Sequence, residues 1–345
     1  MPGEYELLLD PKENRLVPIP VRYNDLFGFY EQLSATEWSV GHFKDAINKD
    51  PEQFETLDPK EQNLVKCVLV FFAASDGLVN MNLLDRFIKE VQITEARDFY
   101  IAQARQEVVH ARTYGRLIEA YIKDEEERDA TFNALEHVPA IQAKGNWAKK
   151  WIDSDKSFAH RLLAFAIVEG IYFCGSFCVI FWFMSKNVLP GLTSSNEWIS
   201  RDESLHTAFA IWLYNNYIRN KLSQEEIQQM VREAVDIEQS FIQYALPEGL
   251  LGMNESLMTQ YIQYVADGLL LDLKCDPIYN VTQPFEFMKK QNLSDVRGNF
   301  FEVIITTYNR FGEGVDMSQF NMDAVCDKFN IAKSEAYQRT LSKNH

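Results

Sequence analysis

The sequence predicts an all-α protein: a bundle of long helices, four at its centre and additional helices around them. Glycine (15) and proline (11) are scarce for 345 residues, which favours long uninterrupted helices over a turn-rich β fold. Long apolar stretches follow recognisable helix-start signals, and no convincing β alternation lies between them. Acidic residues stand in the middle of two of those apolar stretches, where only partners inside a bundle could tolerate them.

Residues 1–35 are expected to be extended or irregular. Asp58-Pro59-Lys60-Glu61 is a strong helix start: an Asp cap, proline at the first helical position and Glu closing a capping box. Apolar residues then run to about Glu90. Thr94 is expected to cap the next helix, which reaches about Ile122, and a shorter helix follows Asp124. Another long helix spans about Lys156 to Met184. Pro190-Gly191 is expected to break the chain before a helix from about Ser194 to Ile218. Ser223 and Glu226 form a capping box that opens a helix to about Tyr244, and further helical stretches lie near 254–273 and 297–311. The rest is more polar. The expected organisation is therefore an irregular N-terminal segment, 1–35, a helical domain, 36–312, and a C-terminal tail, 313–345, suited to docking a partner.

With 46% hydrophobic residues, a sizeable core can be buried. A net charge of −16 without any Lys/Arg-rich run argues against nucleic acid or an anionic membrane as partner. Five cysteines, an odd count with no C-x-x-C pair, argue against a disulfide framework or a cysteine zinc site and fit a reducing, cytoplasmic setting. The N-terminus is acidic and has no apolar signal core, so the N-x-S/T sequons at Asn254, Asn280 and Asn292 read as chance matches. Leu162 to Met184 carries a single charge, Glu169, and on length alone could span a bilayer. A charge near the middle is expensive in lipid, and no second comparable span stands out. The centre of a large helical domain requires just such a helix, apolar all round. Glu169 then needs a partner.

Two E-x-x-H pairs occur, Glu107/His110 and Glu203/His206; the i, i+3 spacing puts both side chains of each pair on one helix face. A single such pair is more often a surface Glu beside a satisfied His than a ligand set. Here each pair follows an acid inside an apolar helix, Asp76 in CVLVFFAASDGLV and Glu169 in AFAIVEGIYF. The intervals from Asp76 to Glu107 and from Glu169 to Glu203 each fit two antiparallel helices and a short connection. The chain thus repeats one unit: a helix with one acid, a turn, a helix with E-x-x-H. Two such hairpins form a four-helix bundle with six groups aimed inward, the arrangement of ferritin-like di-metal carboxylate proteins. Four carboxylates offset two divalent ions, and mixed oxygen and imidazole donors suit iron or manganese. A zinc enzyme would need fewer carboxylates and would favour H-E-x-x-H, which is absent. A bundle with buried ion pairs would need cations, yet no Lys or Arg falls within one helical turn of Asp76 or Glu169.

Tyr114 stands one turn after His110 on the same face. Taken alone it is a core residue; beside an oxygen-activating metal pair it becomes a candidate one-electron donor. A phenol holds its proton to about pH 10, so its oxidation needs an acceptor, which Asp76 or metal-bound oxygen could supply. Phe173, Phe177 and Ile199 stand at helical spacing from Glu169 and Glu203 and offer a dry apolar wall around such a radical.

The strings FFAASDG, VQITEAR, QEVVHARTY, FAIVEGIYFCGSF, PGLTSSNEWISRDESLH, LLGMN, QYVAD and NFFE resemble the ribonucleotide reductase small subunit of the eukaryotic type. The resemblance runs from about Tyr23 to Gly312. It implies that Asp76, Glu107, His110, Glu169, Glu203 and His206 bind two iron ions, with manganese as the alternative, and that Tyr114 carries a stable radical. It implies an electron-transfer route from His110 through Asp202 to Trp38, with Tyr308 nearer the partner. That partner is a large subunit, which reduces ribonucleoside diphosphates to deoxyribonucleotides, and the small subunit itself is a homodimer. Three departures stand out: FNMDA at 320–324 is followed by 21 further residues, Gly268 replaces an expected basic residue, and a long N-terminal extension is missing. Other readings are a di-iron hydroxylase or desaturase with its own substrate, a metal-poor scaffold for an active subunit, and an iron store.

Overall fold

The computed structural model describes residues 5–133 and 138–290, and among them the regular elements are helices, with one isolated bridge between Leu250 and Met253. In chain order the main ones are α1 (Asn24–Ala35), α2 (Pro59–Asn82, extended by a π-helical turn, Leu83–Phe87, to Glu90), α3 (Thr94–Tyr121) and α4 (Glu125–Phe132). They are followed by α5 (Pro139–Ile152), α6 (Phe158–Ser185), α7 (Pro190–Tyr217), α8 (Gln224–Ala245) and α9 (Glu255–Asp272). The hairpins α2–α3 and α6–α7 pack against each other as the central four-helix bundle. Helix α1 lies across α3 and α7, while α5, α8 and α9 cover the other side.

The start signals read from the sequence operate at α2 and α8. Asp58 accepts from the Lys60 amide (2.9 Å) while Glu61 reaches back to the Asp58 amide. Ser223 and Glu226 do the same for α8. Thr94, by contrast, is no cap: Ile93 precedes α3, and the Thr94 hydroxyl accepts instead from the Arg15 amide (3.3 Å). Pro190-Gly191 opens α7 rather than breaking the chain. Proline fits the first helical position, whose N–H would lack a helical partner anyway.

The start of α7 is capped from far away in sequence. Asp50, fully buried, accepts from the amides of Gly191 and Leu192 (both 2.8 Å) and from the Tyr121 hydroxyl (2.6 Å). The approach is so close that a Cβ on Gly191 would stand 2.6 Å from the Ile47 backbone, so only glycine fits. Burial drives the Asp50 carboxyl above the ordinary range, and its three donors oppose that rise. This carboxylate fixes where the helix that carries Glu203 and His206 begins.

The N-terminal segment departs from the expected irregular 1–35. Residues 24–35 are helical, and Phe29 packs on Phe99 and Phe209 (ring centroids 6.2 and 5.4 Å), so the packed domain begins before residue 36. Even Leu8 is buried, its carbonyl accepting from the Gln92 amide (2.7 Å). Helix α5 was not anticipated, although its signals were present: Pro139 at the start and Ile141, Trp147, Ala148 and Trp151 at helical spacing. The expected stretch 297–311 and the tail 313–345 lie outside the described residues.

Two helices, Pro59–Glu90 and Phe158–Ser185, are long and apolar enough to cross a membrane by length and composition; the sequence reading singled out only the second. In that second helix the most apolar window is 94% buried inside the protein, so its apolarity is accounted for by packing.

Replacing Asp50 with Ala should lower the unfolding free energy by about 3 kcal/mol, since two helix-start amides and a buried phenol lose their acceptor together. Chemical denaturation of the two proteins checks this; a change within a few tenths of a kcal/mol would rule out the capping role.

Candidate metal centre

Four helices deliver the six groups singled out from the sequence to one place. Asp76 comes from α2, Glu107 and His110 from α3, Glu169 from α6, and Glu203 and His206 from α7; none is more than 3% exposed. Their potential ligand atoms form two overlapping sets, Asp76/Glu107/His110 and Glu107/Glu169/Glu203/His206, with the atoms of each set within 4.8 Å of one another. Glu107 belongs to both sets. Glu169 sits in a π-helical turn, Val168–Tyr172, within α6.

The donor chemistry fits a pair of divalent ions. Both oxygens of Asp76 and one each of Glu107 and Glu169 are buried without a hydrogen-bond partner. Among the described residues, four carboxylates this close have only two imidazoles as basic partners and are left unbalanced. Burial, then the Glu107 charge, pushes the Asp76 carboxyl well above the ordinary range; burial, then Glu203, does the same to Glu169. Burial also opposes charge on Glu203, yet Glu169 and the two imidazoles hold its carboxyl far below the usual range. Without cations, carboxylates at this density must share protons; two divalent ions would remove that need.

Both histidines are oriented for ligation. His110 turns Nδ1 to Glu203 (3.0 Å), and His206 turns Nδ1 to Glu203 (2.9 Å) and Glu107 (3.1 Å). Their Nε2 atoms face acceptors on the far side, Asp202 Oδ2 (3.3 Å) for His110 and Gln106 Oε1 (2.8 Å) for His206. A hydrogen donated from Nε2 leaves the Nδ1 lone pair facing the cluster. The sequence reading missed Gln106, which adjoins Glu107, and Gln103, whose amide lies 3.4 Å from Glu169.

Asp202 and Trp38 meet as expected. The Trp38 indole donates to Asp202 Oδ2 (2.7 Å), the oxygen that also faces His110, and the two rings stack with centroids 5.8 Å apart. Arg201, overlooked in the sequence, holds the other Asp202 oxygen (3.0 Å). Burial works against charge on Asp202, but Arg201, His110 and Trp38 prevail and keep its carboxyl below the usual range. Tyr308 lies outside the described residues.

Tyr114 is fully buried, stacked on Phe72 with centroids 4.7 Å apart and planes 1° from parallel. Burial, followed by the charge of Asp76, drives its phenol well above the ordinary value. The hydroxyl donates to Asn196 Oδ1 (3.0 Å), and the Asn196 amide nitrogen is tied to the Leu192 carbonyl (2.8 Å), so Asn196 presents only its oxygen. Neither Phe72 nor Asn196 was foreseen, though both stand at helical spacing from predicted groups, four residues before Asp76 and seven before Glu203. Phe173 and Phe177 pack on Phe72 (5.4 and 4.8 Å) and so wall the tyrosine through it; Ile199 is fully buried.

Comparison with known proteins identifies the family and the fold. The family model described as "Ribonucleotide reductase, small chain" matches residues 15–284. The chain is 47% identical over 310 residues to the ribonucleoside-diphosphate reductase small chain of Spisula solidissima, covering 90% of this chain and 80% of that protein. It is 44% identical over 324 residues to the ribonucleoside-diphosphate reductase subunit M2 of Danio rerio, covering 93% and 83%. Among solved structures, the ribonucleotide reductase Rnr4 homodimer from Saccharomyces cerevisiae superposes with a TM-score of 0.76 at 31% identity, covering 88% of this chain and 93% of that one.

Equilibrium dialysis with manganese(II) should find about two ions per chain in the wild type and about one in Asp76→Ala, which loses a donor from one set only. Glu107→Ala, common to both sets, should weaken both ions. If Asp76→Ala still binds two with unchanged affinity, Asp76 is not a ligand.

Proposed function

Because this chain belongs to the ribonucleotide reductase small-chain family, we propose that Tyr114 is its radical-bearing residue and that Asp76, Glu107, His110, Glu169, Glu203 and His206 hold two iron ions. The chain is the small subunit of a ribonucleoside-diphosphate reductase, an oxidoreductase completed by a large subunit. The observation that carries the reading is the juxtaposition of a fully buried phenol with a carboxylate-rich cluster one helical turn away on α3. The donor set also admits manganese, and metal analysis of protein isolated from its host decides between the two.

Iron bound at this centre supplies, with oxygen, the oxidising power for a one-electron step. Tyr114 provides that electron. Its surroundings would penalise a cationic phenol, so the electron and the phenolic proton leave together and a neutral phenoxyl radical remains. Asn196 cannot take the proton, since an amide oxygen is far too weak a base. Asp76, the charge that bears most strongly on the phenol, would serve as the acceptor through an oxygen not engaged by the ion. The dry wall of Phe72, Phe173 and Phe177 keeps water and reductants from the radical. Reduction of Tyr114 then takes an electron along Trp38, Asp202 and His110, whose continuous contacts support a route from the large subunit, while the proton returns from the acceptor that took it.

The small subunit pairs with a second copy of itself in this reading. Met81 and Leu84 of α2 and Ile101 and Val108 of α3 are 44–53% exposed on neighbouring helices and form an apolar face for that contact. Sedimentation of a Leu84→Glu, Ile101→Glu variant should then show a monomer. A cytoplasmic location agrees with free Cys67, Cys174, Cys178 and Cys275, and thiol trapping in intact cells should find them reduced.

The central test is Tyr114→Phe: it should bind metal like the wild type but show no tyrosyl electron paramagnetic resonance signal and no turnover with the large subunit. Trp38→Phe should keep the signal and lose at least roughly a hundredfold in turnover. Wild-type turnover by Tyr114→Phe would sink the radical assignment.

A further inference from the structure

A cavity of about 100 Å³ opens beside the metal centre on the side of Glu169. Its inner wall includes Glu169 and Glu203, its middle is lined by the hydroxyl residues Ser200, Ser204 and Thr207 of α7, and Asp272 stands on the α9 side. Gly170, Ser204, Val265 and Asp272 are half-buried, so the cavity reaches toward the surface along these residues. Among the described residues, no lysine or arginine lines it.

Asp272 has no structural explanation in its own helix. It is the last residue of α9, where the unsatisfied carbonyls of the helix end repel a negative charge. One of its carboxylate oxygens is buried without a hydrogen-bond partner. Burial raises the carboxyl to about 8, a rise that a divalent cation taking the place of its proton would reverse. At the inner end Glu169 repeats the pattern: it is 3% exposed and one of its oxygens lacks a partner. The hydroxyl of Ser204 donates to the Ser200 carbonyl (2.7 Å) and that of Ser200 to the Glu197 carbonyl (3.1 Å). Their remaining lone pairs can face a cation, as oxygen donors for a hard ion require.

The passage depends on Gly170, the neighbour of Glu169. A Cβ there would lie 3.3 Å from the Thr207 methyl and 3.8 Å from Leu269, both residues of the cavity wall. A side chain at this position would narrow the space between the outer carboxylate and the inner ones.

We propose that this cavity is a staging site for the divalent cation that fills the centre: Asp272 captures the hydrated ion at the half-buried edge, the hydroxyls of α7 replace part of its water, and Glu169 and Glu203 receive it. The inference rests on the reading of the six-residue cluster as a metal centre and adds to it a residue that governs the rate of filling rather than the final affinity. A carboxyl at the edge of a low-dielectric cavity, exchanging its proton for the incoming ion, raises capture rates by about an order of magnitude.

The test is stopped-flow uptake of cobalt(II) by the full-length, metal-stripped protein, followed by the visible absorption that appears on coordination, with occupancy at equilibrium measured separately. Asp272→Asn, which keeps shape and removes charge, should fill roughly tenfold more slowly at limiting cobalt yet reach the wild-type occupancy. Asp272→Glu should restore the rate, and Gly170→Ala should slow it independently. Wild-type filling rates in both Asp272→Asn and Gly170→Ala, at full occupancy, would overturn the staging site and leave the metal centre standing. A wild type that binds no cobalt at equilibrium would overturn the metal-centre reading and the staging site with it.

Discussion

Four carboxylates buried side by side with two imidazoles are the constraint to which the rest of this fold answers. In water they would be dispersed; in an apolar bundle they can be held together only by cations or shared protons. The bundle is built so that neither the carboxylates nor the histidines can move apart. Helix α6, apolar on every side, keeps Glu169 fixed within a dry interior. Helix α7 has its start set by Asp50, and so the depth at which Glu203 and His206 enter the bundle is decided by a residue outside all four central helices. Around the cluster, Gln106 and Asp202 fix the rings of the histidines from behind, and Arg201 in turn fixes Asp202. The strain of concentrating charge is thus spread through successive layers of contact.

What could be read from the sequence follows from this constraint. Buried acids in apolar helices violate the usual partition of residues, so Asp76 and Glu169 were conspicuous, and the E-x-x-H spacing did the rest. The capping boxes at Asp58 and Ser223 were legible because they are local. Asp50 was not, because its partners lie 71 to 142 positions away in the chain and nothing in the local sequence marks the contact. Helix α1 was missed for a related reason: residues 24–35 are mixed in character, and the helix is held by its contacts with Phe99, Phe209 and Trp212. Thr94 and Pro190 were misjudged in opposite ways. One had the chemistry of a cap but was recruited by Arg15, and the other had the chemistry of a breaker but stood where a helix begins.

The route of contact leaving the cluster also shows why the N-terminal part of the chain belongs to the domain. Trp38 follows α1 closely, and its indole reaches Asp202 only because α1 is packed across α3 and α7. Arg201 adds a second tie, donating to the Thr36 carbonyl (3.4 Å) as well as to Asp202. Loss of the helix would therefore disconnect the ring from the carboxylate.

The pairing of Tyr114 with Asn196 has a thermodynamic side. In the reduced phenol, a hydrogen lies between two oxygens. Once that hydrogen is gone, the oxygens confront each other with only lone pairs between them. The amide cannot swing its nitrogen round without surrendering the Leu192 carbonyl. The contact therefore favours the reduced form by the worth of a buried hydrogen bond, about 1 kcal/mol, and raises the reduction potential of the couple accordingly. An oxidised Tyr114 would be a stronger oxidant than a phenoxyl that keeps a donor beside it.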